Sequence, residues 1–167
     1  MNTAYIVCGS PGSGKSTYAK KLALKVNAIL LDIDTVTERL VKVSLNESGY
    51  SQDDRDSEYF KLTFREPIYE TLFDIARENL EFNNVVIVGP FTKELRILNW
   101  PSKLASKLAC RIEVHYVYCP TETRKHRIED RGNPRDLAKL IEWENSIRYY
   151  DNEATPVFEH VLIDNSD

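Results

Sequence analysis

Nine residues near the start, GSPGSGKST from Gly9 to Thr17, constrain this chain more than any others. They follow a short apolar run, Tyr5–Cys8 (YIVC), and precede a helical pattern over Lys15–Val26. All fixed positions of GxxxxGK[ST] are filled, in the strand–loop–helix setting the motif needs. Glycines let successive backbone N–H groups turn toward one anion without a Cβ in the way. The helix beginning near Lys15 adds its positive end. Gly9, Ser10, Pro11, Gly12, Ser13, Gly14, Lys15, Ser16 and Thr17 are therefore the expected phosphate cradle, with Lys15 reaching the β- and γ-phosphates. The Ser16 hydroxyl fits a magnesium ligand. The alternative is a glycine turn that binds nothing.

A phosphate loop commits the chain to strands alternating with helices. Further strands are expected at Ala28–Leu31 (AILL), Val85–Val88 (VVIV), Ile112–Cys119 (IEVHYVYC) and His160–Ile163 (HVLI). Three of the five runs meet Gly or Asp at once, as strands covered on both faces do. Helical spacing predicts helices over Thr35–Leu45, Pro67–Phe82, Ser102–Ala109, Thr121–Arg131 and Pro134–Tyr150. This predicts an α/β fold of the three-layer P-loop NTPase type: a five-stranded, mainly parallel sheet with helices on both faces. A helical hairpin over about residues 121–140 should form a lid. At 167 residues the chain reads as one domain, 1–167. The polar, acidic stretch Asn46–Asp56 reads as a mobile loop or small lid.

Composition excludes several function classes. A net charge of −4 argues against a broad nucleic-acid surface. Three cysteines with no CxxC suggest reduced, buried thiols, not a disulfide framework or zinc site. No apolar run approaches a membrane span, and no charged leader precedes the first strand. The expectation is a cytoplasmic protein.

Two further blocks carry chemistry. Asp32 and Asp34 follow the second strand, at the sheet edge where ligands bind in such folds. A carboxylate there can take the proton of a hydroxyl attacking the γ-phosphate, or hold magnesium through water. Asp34 also suits an N-cap, with Thr35 and Glu38 as a capping box. The third strand ends in Gly89-Pro90 where an acid often stands, so Ser16, phosphate oxygens and water must hold magnesium, with help from Asp32 or Asp34. Gly89 reads as a close approach to ligand or a plain turn, and Thr92 as a helix cap.

The second block is CPTETRKHRIEDRGNPRD. Arg124, Arg127 and Arg131 fall on one helix face, Gly132 stops the helix, and Asn133-Pro134 starts another. An arginine over a transferring phosphoryl group contributes roughly 10³–10⁵ in rate, and a closing hairpin excludes water. Arg127 and Arg131 are the first choices, then Arg135; Asp136 reads as structural. A solvated charged helix is the plainer alternative.

With these residues in view, the chain resembles the small P-loop kinases. That group includes the kinase domain of bacteriophage polynucleotide kinase, the zeta-toxin-like kinases and the AAA_33 ATP-binding proteins. The resemblance rests on CGSPGSGKSTYAK, on Asp34, on REPIYETLFDIARENLEF leading into VVIVGPF, and on RIEDRGNPRDLAKL. It implies ATP with magnesium and γ-phosphate transfer to a hydroxyl. Lys15 and Ser16 resemble the phosphate and magnesium residues, Asp34 the general base, and Arg127 and Arg131 lid arginines. It also places the loop after the last strand, Asp164-Asn165, near an adenine. The departures are Thr35 with Arg39, and Gly89-Pro90-Phe91-Thr92; both fall where an acceptor would bind.

The expected function is an ATP-dependent phosphotransferase to a hydroxyl of a small molecule such as a nucleoside, nucleotide or sugar-like alcohol. The acidic segment 46–58 should repel a polynucleotide backbone. A polynucleotide 5′-hydroxyl kinase is the first alternative, with Arg39, Arg55 and Arg65 lining a channel. An ATP-hydrolysing switch protein is the second.

Overall fold

Branched apolar residues dominate VVIV and AILLD, and such runs form strands buried on both faces. In the computed structural model, which describes residues 1–151 and 155–167, they build one sheet of five parallel strands. The strands are β1 (Thr3–Cys8), β2 (Ala28–Asp32), β3 (Asn84–Val88), β4 (Arg111–Tyr118) and β5 (Val161–Asp164), in the order β2-β3-β1-β4-β5. The mainly parallel sheet expected is thus parallel throughout. β1 sits at the centre, so the loop after it emerges between the ends of two neighbouring strands.

Alternation along the strands sends residues to two cores. Ala4, Ile6 and Cys8 of β1, with Val85 and Ile87 of β3, pack under Leu72, Phe73 and Ala76 of α4 (Arg65–Asn79) and Leu104 and Leu108 of α5 (Trp100–Leu108). Val7, Val86, Val88 and Val117 face the other way, against Ala19, Leu22 and Ala23 of α1 (Lys15–Lys25). Small residues on α1 let it lie close to the sheet. Its start is further fixed by Tyr18, whose hydroxyl lies 2.7 Å from His115 Nδ1, while His115 Nε2 lies 2.8 Å from Glu113 Oε1.

Several elements differ from expectation. α2 runs Ile33–Glu47 because Asp32, not Asp34, caps it: Asp32 Oδ1 accepts from Asp34 N at 3.0 Å. The capping box at Thr35 and Glu38 does not form. The single helix expected over Pro67–Phe82 is preceded by α3 (Glu58–Thr63), capped by Ser57, and α4 starts two residues early. Thr92 is buried and caps nothing; a 3₁₀ turn begins at Glu94. α6 (Thr121–Arg131) ends at Gly132 in the left-handed region, as its sequence requires. Asn133 caps the next turn through Arg135 N. The helix expected from Pro134 to Tyr150 is instead a 3₁₀ turn (Pro134–Asp136), α7 (Leu137–Ile141) and α8 (Trp143–Asp151).

Candidate active site

The phosphate loop is a cradle a Cβ would fill. Gly9, Gly12 and Gly14 all have positive φ, at 144°, 78° and 91°. A Cβ on Gly12 would sit 2.7 Å from the Arg124 carbonyl, and one on Gly9 2.4 Å from the Val117 carbonyl. The loop is thus pinned between β4 and α6, with backbone as its neighbour on both sides. Lys15 folds back across it, donating from Nζ to the Ser10 carbonyl at 2.9 Å. Burial lowers the Lys15 pKa to about 8, and Arg131 acts the same way; Asp34 and Asp32 oppose both. A phosphate at this place would restore the charge.

Ser16 donates its hydroxyl hydrogen to Asp32 Oδ2 at 2.6 Å. Asp32 is also paired in register with Val88, the last residue of β3. The strand end that lacks its own acid therefore has one beside it, supplied by β2. Ser16 and Asp32 present hard oxygen donors next to the cradle, and magnesium takes one or two such protein ligands and keeps its waters. Among the described residues no cluster of three His, Cys, Asp or Glu side chains forms a closed cage. The donor set thus fits magnesium carried with phosphate, not a dedicated protein site.

A cavity of about 450 Å³ opens above this loop. Asp34 lines it from the first turn of α2, together with Lys15, Ser16, Asp32, Arg127 and Arg131. So the two outer acids separate in role by geometry: Asp32 caps the helix and meets Ser16, and Asp34 faces the cavity. Arg135 holds Asp34, donating from Nη2 to Oδ2 at 2.6 Å. Burial pushes the Asp34 carboxyl up, but the Arg135 hydrogen bond and charge, with Arg55 and Lys15, outweigh it and the net shift is down. Arg135 reaches Glu38 as well, at 3.8 Å.

The lid arginines do different things. Arg124 is 3% exposed and donates from Nε to the Cys119 carbonyl at 3.2 Å, so it anchors α6 and does not face the cavity. Arg127 lines the cavity and ties the chain's last residues to the lid, donating from Nη2 to the Asn165 and Asp167 carbonyls at 3.1 and 2.5 Å. Arg131 lines the cavity with Nε on Asp136 Oδ2 at 2.7 Å. Asp136 is 2% exposed and structural in this sense. Arg135, third in the sequence reading, is the one that meets Asp34.

Other sequence candidates separate too. Gly89 packs where a Cβ would come 3.1 Å from the Phe91 ring and 3.4 Å from Tyr69, which is a reason for glycine with no ligand involved. Asn165 lies against the phosphate loop, donating from Nδ2 to the Ser13 carbonyl at 2.7 Å. Arg55 and Arg65 line the cavity, whereas Arg39 is exposed and does not. Sequence reasoning missed Lys139 and Asp56, which join the lid to the segment before α3 through Nζ–Oδ2 at 2.8 Å. The residues are 83 apart, and no local spacing could have paired them. In the segment expected to be a mobile loop or small lid, Asp53 and Asp56 meet Lys42 and Lys139, Tyr50 stacks on Tyr59, and Arg55 lines the cavity.

Comparison with known proteins settles the family. Residues 5–152 match the family described as AAA_33: AAA domain. The chain belongs to this family. No protein of curated function matches the sequence. Among solved structures, a protein from Chloroflexus aurantiacus j-10-fl has a TM-score of 0.66 at 16% identity, covering 99% of this chain and 89% of that one. A sugar kinase from Janibacter sp. HTCC2649 has a TM-score of 0.60 at 15% identity, covering 98% and 86%. Shikimate kinase from Acinetobacter baumannii has a TM-score of 0.55 at 19% identity, covering 100% and 85%. At these identities the likeness establishes the fold, that of the small P-loop kinases. No helix among the described residues is long and apolar enough to cross a membrane.

Proposed function

We propose that this AAA_33 protein is a single-domain, cytoplasmic, ATP- and magnesium-dependent phosphotransferase that moves the γ-phosphate to a hydroxyl of a small molecule. One observation carries the reading. A half-buried, ionised carboxylate, Asp34, lines the same cavity as the phosphate loop, in a space of about 450 Å³ that has room for a small hydroxyl compound. In this reading Gly9–Thr17 hold the phosphates, Lys15 bridges the β- and γ-phosphates, and Ser16 with Asp32 accommodates magnesium. Bound magnesium supplies charge neutralisation at the phosphate oxygens. Asp34 Oδ1 accepts the acceptor's hydroxyl proton as that oxygen bonds to the γ-phosphorus. The β–γ bridging oxygen leaves with ADP, and Arg127 and Arg131 face the charge that develops.

The known neighbours include kinases of a sugar and of shikimate, which agrees with a small acceptor. So do the ion pairs Arg135–Asp34 and Lys139–Asp56, which tie the lid to the opposite wall and leave little room for a strand of nucleic acid. The test is transfer of labelled γ-phosphate to a panel of nucleosides, sugars, sugar acids and 5′-hydroxyl oligonucleotides. Labelling of a small alcohol supports the reading. Labelling of oligonucleotide ends alone replaces it with a polynucleotide kinase. Tight ATP binding with slow hydrolysis and no labelled acceptor replaces it with a switch.

A further inference from the structure

Most cations lining the cavity already have a partner. Lys15 donates to Ser10, Arg65 makes a two-point pair with Glu94, Arg131 meets Asp136, Arg135 meets Asp34, and Lys139 meets Asp56. Arg55 differs. Its Nε and Nη2 are shut away from solvent, yet neither has a hydrogen-bond partner among the described residues. Its guanidinium lies over the Phe60 ring, 5.2 Å from the centroid. The carboxylates that influence it most, Asp34, Glu38 and Asp53, are engaged elsewhere: Asp34 and Glu38 with Arg135, Glu38 and Asp53 with Lys42.

Arg55 as a whole is half-buried, but two shielded, idle donors carry a desolvation cost that a fold removes by pairing them. No described residue does so here. Nε and Nη2 of one arginine form a planar edge whose two donors match the two oxygens of one oxyanion. Arg55 lines the same cavity as Asp34, and its charge helps depress the Asp34 carboxyl. The Phe60 ring gives the guanidinium a face to rest on before a ligand arrives.

We propose that Arg55 is a specificity-determining residue that binds an oxyanion of the acceptor, so that the acceptor is a small hydroxy acid or phosphorylated alcohol and not a neutral one. The inference rests on the kinase reading for the word acceptor. The anion subsite itself rests only on the idle donors. The acceptor's hydroxyl lies at Asp34 and its carboxylate or phosphate at Arg55. Phe60, Ile68 and Tyr69 supply apolar wall for the carbon frame between them. The acidic look of 46–58 in the sequence therefore inverts inside the cavity, where its arginine faces the ligand.

Matched probes test this. D-glycerate and glycerol 3-phosphate are each compared with glycerol, and D-gluconate with D-glucitol. Binding is measured by calorimetry on protein saturated with ADP and magnesium, so that the phosphate loop is filled. At least one acid should bind roughly 10–100-fold tighter than its neutral counterpart, the range of one charge-assisted pair. Arg55→Met should erase that preference and Arg55→Lys keep part of it. The carboxylate and phosphate probes tell which oxyanion is favoured. A second measurement guards against a merely structural arginine. Removing an unpaired buried charge should leave the melting temperature of the ligand-free protein unchanged or higher. Equal binding of acid and neutral probes in every pair overturns the proposal, as does a preference that survives Arg55→Met or a large fall in melting temperature. Acid binding without phosphate transfer keeps the subsite and sinks the kinase reading. Transfer to neutral alcohols with no acid preference does the reverse.

Discussion

The two walls of the cavity are built by different means. The wall we assign to the nucleotide is backbone: glycines with positive φ, a helix start, and a lysine and a serine from one run of nine residues. The wall we assign to the acceptor is side chains: Arg55 and Asp56, Asp34, and Arg135 and Lys139 come from three separate segments, and all but Arg55 meet as ion pairs. A backbone cradle is specific for a phosphate and indifferent to what the phosphate is passed to. Side-chain walls can be re-cut without disturbing the loop, which is how one fold can serve many acceptors.

This contrast can be broken by substitution. Asp34→Asn should slow transfer by about 10²–10⁴-fold while nucleotide affinity, read by calorimetry, stays near that of the unaltered protein. Full transfer by that variant would leave Asp34 no role beyond pairing with Arg135. Lys15→Ala should cut turnover by about 10²–10³-fold, as loss of a phosphate-clamping donor does, and here nucleotide affinity must fall too. A variant with normal nucleotide affinity would move Lys15 out of the nucleotide wall.

Gly12→Ala probes the backbone side alone. Its φ of 78° and the 2.7 Å approach to the Arg124 carbonyl leave no room for a methyl. The expected cost is about 1–3 kcal/mol of stability, measured by denaturant titration. A neutral result would show that the cradle can shift, and that its pinning by α6 is weaker than its geometry suggests.

Arg135→Ala sharpens the acceptor side through pH. Arg135 is the chief reason the Asp34 carboxyl lies below its ordinary value of 3.8. A depressed carboxyl contributes stability that is present above the unfolded value and is lost as pH falls through the folded one. In the variant that contribution disappears, and the acid limb of the transfer profile moves to higher pH. An unmoved limb would mean that another group sets it. The smallest effect is expected for Asp56→Asn, whose pair with Lys139 is partly exposed: about 0–1 kcal/mol, with a looser lid seen as faster hydrogen exchange in residues 134–141.

The same contrast explains what the sequence could disclose. The parallel sheet and the phosphate loop were legible because both follow from local runs: apolar strands, glycines at fixed spacing, a strand before and a helix after. The helical boundaries around Asp34 and the lid were less so. Asp32 and Asp34 are both plausible caps by composition, and only the chain's path at the end of β2 decides between them. Arg127, Arg131 and Arg135 were visible as a basic hairpin, but their division of labour depends on partners at Asn165, Asp136 and Asp34. Arg55 was visible as a cation in an acidic segment, grouped with Arg39 and Arg65 as a channel lining. Its isolation depends on the absence of partners in three dimensions, which no spacing encodes.

One detail of the nucleotide wall has a kinetic consequence. The Lys15 ammonium already donates to the Ser10 carbonyl within its own loop. A phosphate that arrives therefore trades one acceptor for another and does not have to order a free side chain. Most of the rotamer entropy of that lysine was surrendered when the protein folded, about 2 kcal/mol for such a chain. Association with nucleotide should accordingly be governed by encounter and by the lid, with no slow rearrangement of the loop beneath it.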